Sequence, residues 1–403
     1  MRILVHTDEY YPTAAACAYR MKVLVDTFIN KGHDVVVITS SSNKECGRVE
    51  GCREKILYSP VIRMKKKTTI MRMLNNCSFG LSSLLTALQI GKIDVVITTS
   101  PPPLVSIPGW IIAKMKKAKL IYDIRDIWPD VAIEMGNFSD SSIYCKVFRM
   151  ITRFMCKHAN WITTVSPGKV EKVKKYVREV SKNEEKTFEN KVKLLSNGFD
   201  ESILESSFDE QIVKKYKLDE KFTCVYIGNI GLAQGLDKLL DIAANTRHTE
   251  IQFLLFGTGA DLENLKKRVR NENLANVHFC GVLAHEKVFT LLSKAQISFI
   301  SLKSARMTDS IPTKVYEALG IGCPVFLVAE GDACAIVKET GLGKCVSPDF
   351  KGGLTEIFDN MVDNYSQYDK QKVLAKDLMY KKYSRQKIAL DFEKQLHNLI
   401  NEK

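Results

Sequence analysis

Short runs of Val, Ile and Leu recur along this chain, and stretches with apolar residues at helical spacing separate them. That alternation excludes most architectures. Residues 2–6, 35–39, 95–99, 120–123 and 161–165 form one series of such runs. Continuous apolar runs suit strands buried on both faces of a parallel sheet, which needs a crossover between successive strands. Residues 18–31 supply one such helix, and Gly32 stops it. From 179 to 191 the sequence turns polar and irregular. A second series then follows at 192–195, 223–227, 251–256, 277–280, 297–300 and 325–328, and the tail from Ser384 has the spacing of one amphipathic helix. The class is α/β, with two doubly wound domains.

At roughly 150 residues per domain, 403 residues allow two or three. The expected division is 1–185, 186–380 and a C-terminal helix over 381–403 that packs back on the first domain or else on the second. With 45% apolar and 26% charged residues the chain is an ordinary globular one, not disordered, collagenous or disulfide-stapled. The 11 cysteines show no CxxC pair and read as reduced core thiols of a cytosolic protein. The opening MRILV reads as a strand and lacks the apolar region of a signal peptide. The longest apolar run, 104–113, is interrupted by Pro108 and Gly109, well short of the roughly 20 residues that span a bilayer.

The net charge of +13 is concentrated. Residues 51–120 hold 12 Lys or Arg against Glu54 and Asp94. Such a patch suits an anionic surface: lipid head groups, nucleic acid or a polyphosphate substrate.

Ligands of doubly wound sheets bind beyond the carboxyl ends of the strands, so the post-strand segments carry the candidate chemistry. The loop Thr7 to Ala16 places small residues before a helix start and is either an anion-accepting loop or a tight connection; it has no glycine and is not a dinucleotide fingerprint. Asp123, Arg125, Asp126 and Asp130 crowd the end of a buried run. They suit positioning or deprotonating an acceptor hydroxyl, or else form a salt-bridge cluster around Arg125. Gly228, Asn229, Gly231, Gln234 and Gly235 form a glycine loop at a helix start, which suits a diphosphate or is a plain turn. Gly257 and Gly259 make a second turn of the same kind, able to let a nucleobase lie against backbone. Asp309, Ser310, Ile311, Lys314 and Glu317 set two carboxylates around a cation near a helix start. Lys314 suits a phosphate and Glu317 a ribose, unless Glu317 is an ordinary helix residue.

Together these segments resemble the retaining family 4 glycosyltransferases of GT-B fold, over almost the whole chain. The Asp309-to-Glu317 segment is similar to that family's paired-carboxylate signature, with Asp in place of its first Glu. Asn197-Gly198-Phe199-Asp200, the Gly257-Thr258-Gly259 turn and the Gly322-Cys323-Pro324-Val325 run also match. The Asp123-to-Pro129 segment and the Gly228-to-Gly235 loop are most similar to bacterial N-acetyl-fucosamine transferases of O-antigen and capsule assembly. The sequence departs from the pattern at Asn229 and Gln234, where many members carry Arg and Lys, and at Asp123, where many carry a nearby His.

The resemblance implies two Rossmann-like domains facing across a cleft and a donor nucleoside diphosphate sugar, UDP-linked, held by the second domain. The donor-binding set is Gly228, Asn229, Gly231, Gln234, Gly257, Gly259, Asp309, Ser310, Ile311, Lys314 and Glu317. Lys314 and the amides of Ile230 and Gly231 are expected at the leaving phosphate, Glu317 at the ribose and Asp309 at sugar hydroxyls. Asp123, Arg125 and Asp126 are the catalytic candidates on the acceptor side, where a polyprenyl-diphosphate-linked saccharide is expected. No metal site or cofactor is expected, and no nucleic acid. Residues 63–74 and 110–119, cations mixed with Ile, Met, Leu and Trp110, suit docking on an anionic membrane, which places the protein peripherally on the cytoplasmic face. A UDP-sugar 2-epimerase of the same architecture and a non-catalytic membrane scaffold are the rival readings.

Overall fold

A computed structural model of the chain describes residues 1–13, 16–46, 53–64, 69–136, 138–180 and 190–401. The readings made on Ala14, Ala15, Lys65, Lys66, Lys67 and the polar stretch 181–189 lie outside these residues. The chain divides into two compact units: Met1–Asn197 with Arg385–Lys403, and Gly198–Ser384.

The first unit is built on a seven-stranded parallel sheet in the order β3-β2-β1-β4-β5-β6-β7. Its strands are β1 (Arg2–His6), β2 (Asp34–Ser40), β3 (Lys55–Ser59), β4 (Val95–Ser100), β5 (Lys119–Ile124), β6 (Trp161–Thr164) and β7 (Val192–Leu194). Successive side chains alternate between its faces. Leu4, Val36 and Val96 join one buried cluster and Ile3, Val5, Val35 and Val37 another, which is why these strands read as unbroken apolar runs. The second cluster is completed by Ala389, Phe392, Leu396 and Leu399 of the last helix, Arg385–Asn401, packed on helix Ala16–Asn30.

The second unit carries six parallel strands in the order β10-β9-β8-β11-β12-β13: β8 (Thr223–Ile227), β9 (Gln252–Phe256), β10 (Val277–Gly281), β11 (Ile297–Ser301), β12 (Val325–Val328) and β13 (Gly343–Val346). The strand order reverses between β1 and β4 in one sheet and between β8 and β11 in the other. Crevices that accept ligands open at such reversals.

Three strands depart from the sequence expectation. The run at 192–195 was assigned to the second series, yet β7 pairs with β6 and closes the first sheet. β3 and β13 were not anticipated. Both are edge strands with polar residues facing outward, Lys55 in one and Lys344 in the other, so neither forms an apolar run.

Candidate active site

In the second unit, β8 ends in the loop Gly228–Gly235. Gly228 has φ +135°, and a Cβ on it would stand 2.9 Å from the Lys314 ammonium. The Gly257 turn after β9 stacks directly on this loop, because a Cβ on Gly257 would meet the Gly228 carbonyl oxygen at 1.8 Å. Backbone bonds fasten the two turns: Gly228 N–H donates to Phe256 O at 2.9 Å and Ile230 N–H to Thr258 O at 2.9 Å. The glycines of both turns thus allow a close backbone approach. Ser301, at the end of β11, donates to the Gln234 carbonyl, and Lys303 N–H donates to Ala233 O at 2.9 Å. The glycine loop is therefore braced from both sides of the strand-order reversal.

This bracing corrects one expectation. The amides of Ile230 and Gly231 are not open to a phosphate: the first bonds to Thr258 O, and Gly231 N–H donates to the Gln234 side-chain oxygen at 3.1 Å. Only the second partner is a side chain, able to swing away. Asn229 packs its side chain beside Gly231 and Gly259. The two residues that replace the family's cations therefore hold the loop in shape.

Lys314 and Glu317 lie one turn apart near the start of helix Thr313–Ile321 and share one of its faces. Pro312 opens that helix and Gly322, left-handed at φ +91°, closes it. Lys314 donates to the Tyr226 hydroxyl at 2.8 Å and sits 3.9 Å from that ring's centroid. Tyr226 in turn donates to Asn229 O at 2.5 Å. Burial lowers the Lys314 pKa to about 7 against the opposing pull of Glu317. Asp309 is buried. Its neighbour Thr308 accepts from Asp332 N–H at 2.8 Å, and the segment lies so close to Gly331 that a Cβ there would meet Thr308 O at 1.9 Å. Ser310 and Ile311 follow, half-buried. Phe199 of the Asn-Gly-Phe-Asp segment packs against Gly320 of the same helix. The second-unit candidates thus gather around β8, β9 and helix Thr313–Ile321.

The first unit separates its candidates. Asp123 is fully buried, with both carboxylate oxygens taken by Arg20 at 2.7 and 3.0 Å and one also accepting from Thr163 at 2.6 Å. Arg20 donates as well to Leu195 O at 3.0 Å. This ion pair ties helix Ala16–Asn30 to β5, β6 and the end of β7, and holds the Asp123 carboxylate fully buried. Arg125 and Asp126 turn the other way. Arg125 donates to Pro101 O at 2.8 Å beyond β4, and Lys169 stands 3.9 Å from Asp126.

Arg125 also meets two acids that sequence reasoning passed over, Asp8 and Glu9 in the loop after β1. The Asp8 carbonyl accepts from Thr39 at 3.0 Å and from Asn43 at 2.9 Å, which fixes the loop against β2. Burial, and then Glu9, raise the Asp8 pKa to about 6, with Arg125 working against them. Beside this cluster lies a cavity of about 490 Å³ lined by Arg72, Asn76, Pro102, Trp128, Tyr144 and Phe148, among others.

Of the basic stretches, Met64, Ile70, Leu74 and Met115 are exposed, whereas Trp110 is half-buried and packs edge-on against Phe154 at 4.9 Å. Leu81, Leu85 and Leu88 extend the exposed apolar row along helix Thr69–Leu88. No helix among the described residues is long and apolar enough to cross a membrane.

Two parallel, doubly wound units of this kind define the GT-B fold, and known structures share it across their full length. The sucrose-phosphate synthase of Thermosynechococcus elongatus superimposes with a TM-score of 0.81 at 16% identity, covering 100% of both chains. Anabaena HepE, crystallised with UDP-glucose, superimposes with a TM-score of 0.74 at 14% identity, covering 99% of this chain and 100% of its own. In sequence, the putative colanic acid biosynthesis glycosyl transferase WcaI of Escherichia coli K12 is 24% identical over 369 residues, 87% of this chain and 89% of that one. Residues 207–377 match the family described as Glycosyl transferases group 1. That stretch of the second unit matches this family, and the fold of the two units is that of the GT-B glycosyltransferases.

Proposed function

We propose that the protein moves a sugar from a UDP-linked donor to a lipid-linked saccharide during the assembly of a bacterial surface polysaccharide, with retention of anomeric configuration. The observation that carries the donor assignment is the convergence of Lys314, Glu317, Gly228 and Gly257 at the carboxyl ends of β8 and β9. Glycosidic cleavage puts negative charge on the leaving phosphate, and a desolvated ammonium placed there stabilises that charge more than one in water. Gln234 yields the Gly231 amide to the same phosphate. Glu317 accepts the ribose hydroxyls, Asp309 meets the transferred sugar, and the Gly257–Gly259 turn admits the base. WcaI, by name a colanic acid enzyme, and HepE with its UDP-glucose support the choice of pathway class and nucleotide. An N-acetyl-fucosamine-type sugar is the donor we assign from the glycine-loop resemblance.

On the first unit, Asp8, Arg125 and Asp126 position the acceptor hydroxyl, and Asp123 acts only through Arg20. The aromatic cavity with Arg72 at its wall suits an acceptor carrying both apolar and anionic groups. The exposed leucines of helix Thr69–Leu88, with Arg63, Arg72 and Lys114, support seating on an anionic lipid surface. No metal is assigned to the transfer step.

A melting-temperature screen of UDP, GDP, TDP and their sugars tests the donor assignment, since a ligand of the folded state raises the transition. UDP compounds are expected to act, and Glu317→Ala to lose both that shift and transfer. An unchanged shift and rate in Glu317→Ala overturns the site.

A further inference from the structure

We infer that the first unit contains a zinc site made of His33, Glu393 and His397, at the opposite end of its sheet from the candidate active site. His33 lies in the turn that enters β2, at the amino-terminal end of the strands, whereas Asp8 and Arg125 lie beyond their carboxyl ends. Glu393 and His397 come from helix Arg385–Asn401. Four residues apart, they share one helix face, and that face is turned to the His33 ring.

The donor atoms converge on one point. His33 Nε2 is 2.9 Å from Glu393 Oε1, and His397 Nε2 is 3.4 Å from the same oxygen. One ligand atom from each residue lies within 4.8 Å of the other two. Neighbouring ligands around a tetrahedral zinc with bonds near 2.0–2.1 Å stand about 3.4 Å apart, so small side-chain adjustments complete the arrangement.

The surroundings favour a cation. Glu393 and His33 are buried. Phe28 packs edge-on to His33, with centroids 6.3 Å apart, and also packs against Phe392. A carboxylate in such a wall requires positive charge beside it. Two imidazoles on one of its oxygens provide that either by holding a proton or by sharing a divalent ion. Two nitrogens and one carboxylate oxygen suit Zn²⁺ and not Mg²⁺ or Ca²⁺, which take oxygen ligands. His397 is exposed, so the fourth position faces solvent and takes water. The N-terminal amine lies 3.2 Å from His33 Nδ1. The ion then clamps the last helix to a turn more than 350 residues earlier in the chain.

The test uses the full chain, stripped with EDTA and dialysed into chelator-free buffer. Zinc chloride titrated by calorimetry is expected to bind this site at one equivalent and to raise the melting temperature, with no effect from magnesium chloride. His397→Ala removes an exposed ring, so its metal-free melting temperature should match the wild type while the equivalent and the zinc-induced rise both disappear. Glu393→Gln, the second variant, should weaken that binding by about tenfold or more. The inference is overturned if the wild-type chain takes up no zinc. It is also overturned if His397→Ala keeps the same stoichiometry and the same rise in melting temperature.

Discussion

Lys314 carries its charge at a cost, since burial has lowered its pKa to about 7. A diphosphate beside it restores the ordinary preference for the ammonium, so nucleotide binding above neutrality draws a proton from solution. At pH 8, calorimetry of UDP binding in buffers of different ionisation enthalpy should report uptake approaching one proton. Lys314→Met should show none and bind about tenfold or more weakly, from the loss of a charged hydrogen bond. Asp8 has the opposite displacement, upward from 3.8 to about 6. Transfer should fall as pH drops through 6, and Asp8→Asn should lower kcat by roughly 100-fold or more and abolish that limb. The folded chain binds the extra proton between those two values, so Asp8 lowers stability as pH rises through the window. Asp8→Asn should therefore leave the melting temperature at pH 7 unchanged or higher. Sequence pattern exposed the Lys314 and Glu317 pair because both sit on one helix. It hid Asp8, whose shift comes first from burial and then from neighbours that include Arg125 beyond the end of β5, and it made Asp123 resemble a catalytic acid because the partner, Arg20, lies far away in the chain.

Helices and strands were legible to the degree that one face pattern dominated them. Every central strand is buried on both sides and reads as an apolar run; β3 and β13, at sheet edges, mix Lys with apolar residues and do not. Partner choice was less visible than element type, as β7 shows: its three residues carry nothing that selects β6 over a strand of the second sheet. Helix Thr69–Leu88 is the reverse case, an element whose outer face is too apolar for water alone. Leu81, Leu85 and Leu88 lie at successive turns on it, all exposed. Replacing Leu81 and Leu85 together by Glu should end co-flotation with vesicles containing anionic lipid, with melting temperature and UDP binding unchanged. Co-flotation equal to that of the wild type would remove this face from the docking surface.

At the scale of the molecule, acid should weaken the first unit through a group outside the candidate site. His6 is enclosed between Thr98 and Ser83, each 3.0 Å from a ring nitrogen, and burial lowers its pKa to about 3. Being depressed, it supports the fold above the ordinary value of 6.5 and withdraws that support as pH falls toward 3, at up to about 1.4 kcal/mol per pH unit. Because Asp8 opposes this between 3.8 and 6, the effect is best isolated in an Asp8→Asn background. All three tryptophans, Trp110, Trp128 and Trp161, belong to the first unit, so denaturant unfolding followed by their fluorescence reports on it alone. Between pH 6.5 and 5 the parent should lose about 2 kcal/mol more than the same chain with His6→Gln. The two-sheet architecture itself was readable from strand–helix alternation, while the return of the last helix to the first unit was one of two placements the sequence allowed, since an amphipathic helix announces an apolar face without naming what it covers. That return has a consequence for synthesis. On the ribosome the first unit to emerge is the last to be finished: until Phe392, Leu396 and Leu399 leave the exit tunnel, one layer of its core stays open, and a nascent chain stalled short of them presents that layer to chaperones.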